Sequence, residues 1–190
     1  MGWQDRITSI MRSPEMLYAV GQGALALEIR AGDKRVKDVL RGAGDWKTEW
    51  SAGSERGLLR ELEGGCSVPV GIEAWIEEVR EGSPEASDVT RGPFEGKEPG
   101  EEEFQPDAPL LHQSGGRGRL AVLHVTACVT SVDGQKQVMH DSGKVLVKSF
   151  LEAEKWGHWV AEELMRKGGK EILDEINVVR KQREMGVVEA

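Results

Sequence analysis

The chain is 190 residues long, 38% of them hydrophobic, and carries a net charge of −8 at pH 7. That length fits one domain together with, at most, pieces of another. The acidic balance argues against a nucleic-acid surface, and no apolar run is long enough to cross a bilayer. We therefore expect no nucleic-acid and no membrane partner.

The first 45 residues contain three predicted elements. Residues 1–13 have helical periodicity and bring together the apolar side chains of Trp3, Ile7, Ile10 and Met11. Residues 24–29 alternate as a strand does, and Gly21 and Gly23 allow a close backbone approach just before it. Asp33 is placed to cap a short helix that ends at Arg41.

A longer helix is predicted from Asp45 to Glu63, with an apolar stripe that includes Trp46, Trp50, Leu58, Leu59 and Leu62. Gly64 follows where a helix C-terminal glycine belongs. Cys66 therefore comes just after a helix end, and the sequence "SVPVGIEAWI" that follows predicts a strand.

Residues 80–118 hold four basic and nine acidic residues, so 4 − 9 = −5 of the net charge belongs to this segment. It is rich in Pro and Gly and has no sustained apolar period. Such a composition predicts a disordered insertion, for which a solvated loop is favoured over a docking segment.

The C-terminal part predicts a sheet covered by helices. Leu123, Val125, Ala127 and Val129 share one face of a strand, and Asp133-Gly134 is a hairpin signal that leads to the next strand. Ser149 can cap a helix with the stripe Ala153, Trp156, Val160 and Leu164. Gly168-Gly169 ends that helix, and a last one follows with Ile172, Leu173, Ile176 and Val179. The fold class is thus α+β, with about three antiparallel strands in the sheet.

Cys66 is the residue whose setting suggests chemistry. Flanking glycines leave its sulfur approachable, which suits a thiol presented on a loop, whereas a small apolar filler is the alternative. A redox-sensing thiol is less favoured because Cys66 follows a helix C-terminus, which does not stabilise a thiolate. Cys128, in mid-strand, is interpreted as structural. With two cysteines in all, a disulfide framework is excluded, and the absence of a signal-peptide core favours the cytoplasm.

Other kinds of site are not supported. "GQGALALE" lacks the third glycine and the following helix of a dinucleotide-binding turn. His112, His124, His140 and His158 show no metal-ligand spacing, so no metal site is predicted.

Several segments of the sequence resemble one enzyme family. "ERGLLRELEGGCSVPVG" is similar to the cofactor-attachment segment of porphobilinogen deaminases, also called hydroxymethylbilane synthases, and "YAVGQGALALEIR" is similar to their hinge-and-strand motif. "GWQDRI" resembles the end of their second domain, and "VTSVDG" and "AEELMRKGGKEILDEI" resemble their third domain. The resemblance implies that residues 1–45 are a remnant of the preceding α/β domains and residues 46–190 the C-terminal cofactor-carrying domain.

The resemblance also implies a function. Such enzymes join four porphobilinogen molecules into hydroxymethylbilane, with release of ammonia, for haem and other tetrapyrroles. By resemblance, Cys66 carries the dipyrromethane primer through a thioether bond, and Gln22 and Gly23 line the cleft near the cofactor. Glu55 and Arg56 match the same motif and are interpreted as structural. The complete protein is expected to be a monomer.

The same resemblance leaves the catalytic aspartate and the substrate-binding cations outside this chain, so no catalytic residue is assigned within it. Two hypotheses follow: a part of a working deaminase, which is inactive by itself, or a non-catalytic remnant that serves as a small interaction module. Gly57 stands where the family usually has alanine, and Thr48-Glu49 reverses a usual order.

Overall fold

The computed structural model describes residues 2–21, 27–41, 43–62, 68–87, 89–92 and 119–184. Their elements, in chain order, are helices α1 (Lys34–Arg41) and α2 (Trp46–Glu61), strand β1 (Val70–Val79), helix α3 (Pro84–Ser87), strands β2 (Thr90–Arg91), β3 (Leu120–Thr130) and β4 (Gln137–Val147), and helices α4 (Phe150–Leu164) and α5 (Lys170–Glu184). None of the helices within these ranges is long and apolar enough to span a membrane.

The sheet has the strand order β1-β3-β4-β2. Its three long strands are antiparallel, with Val70 opposite Val129 on β3 and Thr130 opposite Gln137 on β4. The two residues of β2 pair in parallel with Val145 and Leu146 of β4. The predicted α+β class with a three-stranded antiparallel sheet is confirmed, and β2 adds a short fourth strand at the edge.

One face of the sheet carries the core. The residues of β3 predicted to share a face are all fully buried, together with two valines of β4 and the predicted stripe of α4; they are Leu123, Val125, Ala127, Val129, Val145, Val147, Ala153, Trp156, Val160 and Leu164. Helices α2 and α4 lie over this face and close the core with Trp50 and Leu58. Burial of branched side chains at every second strand position supplies the main favourable free energy.

Helix boundaries follow local polar contacts. Asp45 accepts a hydrogen bond from the backbone N–H of Thr48 at the start of α2, and Ser149 accepts one from Glu152 at the start of α4. The chain breaks between α4 and α5 at Gly168, whose φ of +111° lies where a side chain would be strained. Helix α5 then buries Ile172, Leu173 and Ile176, as predicted, while Val179 lies outside the core.

The N-terminal part differs from its prediction. The prediction of a helix over residues 1–13 is wrong. Within residues 2–13, only Gln4–Arg6 are helical, and they form one turn of 3-10 helix. The apolar side chains of that stretch are 58–69% exposed. A helix this short is marginal in water unless packing supports it, and the described residues offer its apolar face no partner. Of the strand predicted over residues 24–29, residues 24–26 lie outside the described residues, and 27–29 are irregular. Helix α1 is confirmed, with Asp33 accepting a hydrogen bond from Val36.

Regular structure also begins inside the predicted insertion 80–118. Helix α3 and strand β2 both lie within it, and pairing with the edge of β4 gives Thr90 and Arg91 a place in the sheet. Residues 93–118, with the acidic run, lie outside the described residues.

Candidate functional site

The segment that contains Cys66 lies between α2 and β1 in the sequence. Residues 63–67 lie outside the described residues, but both flanks are fixed. Leu62 is buried and donates its N–H to the carbonyl of Leu58. On the other side, the carbonyl of Pro69 accepts a 3.0 Å hydrogen bond from the N–H of Thr130 on β3, and Val68 packs against the core. The predicted helix end and following strand are thus present on either side of Cys66.

Side-chain contacts tie the last turn of α2 to α4. Oε2 of Glu61 lies 3.0 Å from Nδ1 of His158, and Arg60 forms an ion pair with Glu154. Both pairs are partly exposed, so each contributes little to the free energy of unfolding. These two pairs matter more for geometry, because they hold the last turn of α2 against α4 just before residues 63–67 begin.

A second segment approaches the same end of β1. Tyr18 and Ile72 exchange two backbone hydrogen bonds in an antiparallel bridge, with lengths of 3.2 and 2.8 Å. The pairing is a single bridge, because the chain turns at Val20 and Gly21. Gln22 and Gly23 follow directly, outside the described residues. The bridge therefore joins a residue four positions before Gln22 to a residue six positions after Cys66.

A glycine makes room for this approach. A β-carbon at residue 71 would lie 2.9 Å from Cβ of Leu17 and 3.0 Å from Sγ of Cys128. Leu17 and Cys128 are both buried, so the three residues form a close contact between the N-terminal segment, β1 and β3. Cys128 fills space here, in agreement with its interpretation as structural.

Glu55 of the ERGLLREL motif faces the free edge of β1. Its Oε1 accepts a 3.3 Å hydrogen bond from the N–H of Ala74. Burial raises the pKa of this carboxyl, the N–H of Ala74 opposes that effect, and the charge of Glu73 adds to it. The contact covers an unpaired strand N–H, which supports the structural interpretation of Glu55.

Sequence reasoning missed the partners of these residues. Glu61 and His158 are 97 positions apart, and no local pattern pairs them. The same holds for His124 and Asp141, whose Nε2 and Oδ1 lie 2.7 Å apart on the face of the sheet opposite the helices. Across the described ranges, no three His, Cys, Asp or Glu side chains are grouped so that they could hold a metal ion.

Chemically, the described part of the site is a scaffold. It fixes the chain on both sides of the Cys66 segment by packing and hydrogen bonds, next to the bridge between Tyr18 and Ile72. A thiol with such flanks is suited to carry a covalently attached group, because the chain before and after it is held.

Comparison with known proteins matches two family models. The model described as "Porphobilinogen deaminase, dipyromethane cofactor binding domain" matches residues 1–38, and the one described as "Porphobilinogen deaminase, C-terminal domain" matches residues 51–81. Cys66 lies in the second match.

Curated relatives match along most of the chain, and the proteins named here are all called porphobilinogen deaminase. The protein from Yarrowia lipolytica is 34% identical over 174 residues, which cover 92% of this chain and 39% of the relative. The protein from Saccharomyces cerevisiae is 33% identical over 95% of this chain and 43% of its own length. The one from Chlorobium phaeovibrioides is 31% identical over 93% and 43%. The chain thus spans about two fifths of the length of these relatives.

Proposed function

Because this chain belongs to the porphobilinogen deaminase family, we propose that it forms the C-terminal, cofactor-carrying part of a hydroxymethylbilane synthase. The complete enzyme would join four porphobilinogen molecules head to tail and release ammonia at each step. In this proposal the sulfur of Cys66 holds a dipyrromethane through a thioether bond. When bound, that group supplies the terminal pyrrole to which the first substrate unit is added.

The observation that carries the proposal is the fixed geometry on both sides of the Cys66 segment. Leu62 and Pro69 anchor its two flanks, and the bridge between Tyr18 and Ile72 holds the chain against β1 four residues before Gln22. A thiol that acts as a tether needs this arrangement, because the bond forms once and the attached group must then stay in place. Gln22 and Gly23 would line the space beside the attached group.

Turnover is proposed for the whole protein and not for these 190 residues alone. Recognition of the acetate and propionate groups of porphobilinogen needs fixed cations, and proton transfer needs a positioned acid or base. By resemblance, both come from parts of the longer relatives that this chain does not span. We also propose a monomeric whole protein in the cytoplasm, which rests on the resemblance and on the composition.

The test is the intact mass of the protein purified from its source cells, with a peptide map over Cys66. We expect a two-pyrrole adduct on the peptide that contains Cys66, in addition to the 20.9 kDa of these residues. The adduct should disappear in Cys66→Ser and persist in the control Cys128→Ser, whose thiol is buried. An unmodified Cys66, or an adduct that survives Cys66→Ser, would contradict the proposal.

One observation favours the second candidate, a non-catalytic interaction module. Trp3, Ile7, Ile10 and Met11 are exposed, although such side chains usually contact something. That candidate predicts a bare Cys66 and no consumption of porphobilinogen by the protein from source cells. The same mass measurement therefore separates the two candidates.

A further inference from the structure

His140 of β4 is a buried histidine whose two ring nitrogens have very different surroundings. The residue is 8% exposed, and its Nδ1 lies 2.7 Å from Nζ of Lys167. Its Nε2 is buried and has no hydrogen-bond partner among the described residues. An ammonium group can donate but cannot accept, so Nδ1 must offer its lone pair to Lys167. The contact therefore requires a neutral imidazole with its proton on Nε2.

The cations near His140 come from the turn between α4 and α5. Lys167 and Arg166 both belong to the segment Met165–Gly169, and Arg166 is paired with Glu163 of α4. Helix α4 also places an uncharged group beside His140. The ring of Trp159 meets the His140 ring edge-on, with 5.8 Å between the ring centroids.

The strands add one acidic group. Asp141 follows His140 on β4 and is already paired with His124 of β3 at 2.7 Å. The neighbour of His140 across the β3 ladder is Ala127, which is uncharged. Burial is the largest cause of the lowered pKa of His140. The charges of Lys167 and Arg166 lower this pKa further, whereas the charge of Asp141 raises it. The surroundings as a whole disfavour the imidazolium.

The turn that carries Lys167 is also where the helical path breaks. Gly168 has a φ of +111°, and a β-carbon at this position would have one neighbour within 4 Å, Cγ2 of Val138 on β4, at 3.7 Å. A rotation at Gly168 could lift the turn from β4 while α4 and α5 keep their own hydrogen bonds. The contact between His140 and Lys167 therefore holds the residue just before Gly168 against β4.

We propose that the His140–Lys167 contact is a pH-operated latch, which holds the α4–α5 turn on β4 while His140 is neutral and releases it when His140 takes up a proton. A protonated imidazole donates from both nitrogens, so Nδ1 can no longer accept from Lys167. The contact would then bring two positive charges to hydrogen-bond distance in a poorly hydrated place. Release of the turn lets both groups reach water. This inference is independent of the tetrapyrrole chemistry proposed above.

The sign of the pH dependence follows from the lowered pKa. The folded chain binds fewer protons at His140 than the unfolded chain, in which the pKa has its ordinary value of 6.5. The latch contributes its full stability above pH 6.5 and loses it as the pH falls through the folded pKa.

Two measurements on the full 190-residue chain test the latch. The first is an NMR titration of the His140 ring, which we expect to give a lower pKa than the same ring gives in urea. The second is hydrogen exchange of the amides of 138–140 and 165–169 between pH 5 and 7.5, corrected for intrinsic rates. These amides should lose protection at the acidic end, whereas those in the middle of α2 should not.

Variants separate the latch from ordinary burial. His140→Asn keeps an acceptor but cannot be protonated, so the acid-dependent exchange should disappear. Lys167→Met removes the cation and should raise the pKa of His140 towards its value in urea. His158→Asn is the control on α4 and should leave both measurements at His140 unchanged. An unaltered His140 titration in Lys167→Met, or exchange at 165–169 that does not respond to pH in the natural chain, would overturn the proposal.

Discussion

Gly157 of α4 packs against the backbone of Ser54 on α2, so closely that a β-carbon at residue 157 would lie 2.7 Å from the carbonyl carbon of Ser54 and 3.0 Å from the nitrogen of Leu58. The two helices meet here with backbone against backbone. This close approach brings the last turn of α2 to α4, where the pairs Arg60–Glu154 and Glu61–His158 form beside the Cys66 segment.

Gly157→Ala should therefore lower the free energy of unfolding. The obstacle is backbone, which cannot rotate away, so the helices must separate at a cost of about 1–3 kcal/mol, beyond what the better helix propensity of alanine returns. Urea unfolding at pH 7 measures this. Glu162→Ala, at an exposed position of the same helix, is the control and should change stability by no more than about 0.5 kcal/mol.

Gly57→Ala tests a second close contact between α2 and α4. A β-carbon there would lie 3.2 Å from the carbonyl carbon of Glu154 and closer still to its oxygen. We expect a loss of about 1–3 kcal/mol in urea unfolding, because the neighbouring atoms belong to the backbone. Equal or higher stability would show that α4 can shift to accept the methyl group.

Glu55→Gln should stabilise the chain at neutral pH. Burial raises the pKa of Glu55, so its charged form weakens the fold, and stability falls as the pH rises through the folded pKa. Glutamine keeps an oxygen that can accept from the N–H of Ala74. The Tm difference between variant and natural chain should be positive at pH 7 and shrink towards pH 4. The exposed Glu77→Gln serves as the comparison, and a variant that melts lower at pH 7 would contradict the expectation.

Asp45→Ala should remove the N-terminal cap of α2 and cost about 1 kcal/mol. Asp45 accepts from the N–H of Thr48 at 2.9 Å and from its hydroxyl at 2.8 Å, and these bonds lower the pKa of the carboxyl. The contribution is present above pH 3.8 and is lost as the pH falls through the folded pKa. Asp45→Asn keeps the accepting oxygen and should retain most of the stability. Thermal melts at pH 7 and pH 3 distinguish the two variants.

Gly71→Ala should detach the N-terminal segment from β1. The added methyl group would press on Leu17 and on Sγ of Cys128, at a cost of about 1–3 kcal/mol at this contact. Hydrogen exchange should speed up at Tyr18 and Ile72, whose amides bond to each other's carbonyls, while amides of β3 paired with β4 keep their protection. The control Gly82→Ala is set in open space, although its φ of +80° carries its own strain. Unchanged exchange at Tyr18 would refute the role given to Gly71.

The helices and strands of the C-terminal part could be predicted because their pattern is local. Ser149 caps α4, and residues 153, 156, 160 and 164 repeat at helical spacing, so sequence neighbours alone define the buried face. The strand of Leu123 to Val129 alternates for the same reason. The predicted residues of α4 and β3 are all buried, as their positions in the sequence indicate.

The absence of a helix over residues 1–13 could not be predicted, because periodicity does not reveal whether a partner surface exists. Trp3 and Ile7 have helical spacing, yet their side chains are 66% and 61% exposed in the described chain. The partners of Glu61 and His140 were hidden for another reason. Each pairs with a side chain far along the sequence, His158 and Lys167, and only the closed fold brings them together.

The short strand β2 determines how long the connection between β2 and β3 must be. Arg91 pairs with Leu146 of β4, and Leu146 pairs in turn with Val122 of β3. Two strand spacings therefore separate the end of β2 from the start of β3, a gap of about 10 Å that a handful of residues could span. Residues 93–118 join two points that are already held by the sheet. We therefore expect that a change in the length of that segment leaves the register of β2, β3 and β4 unchanged.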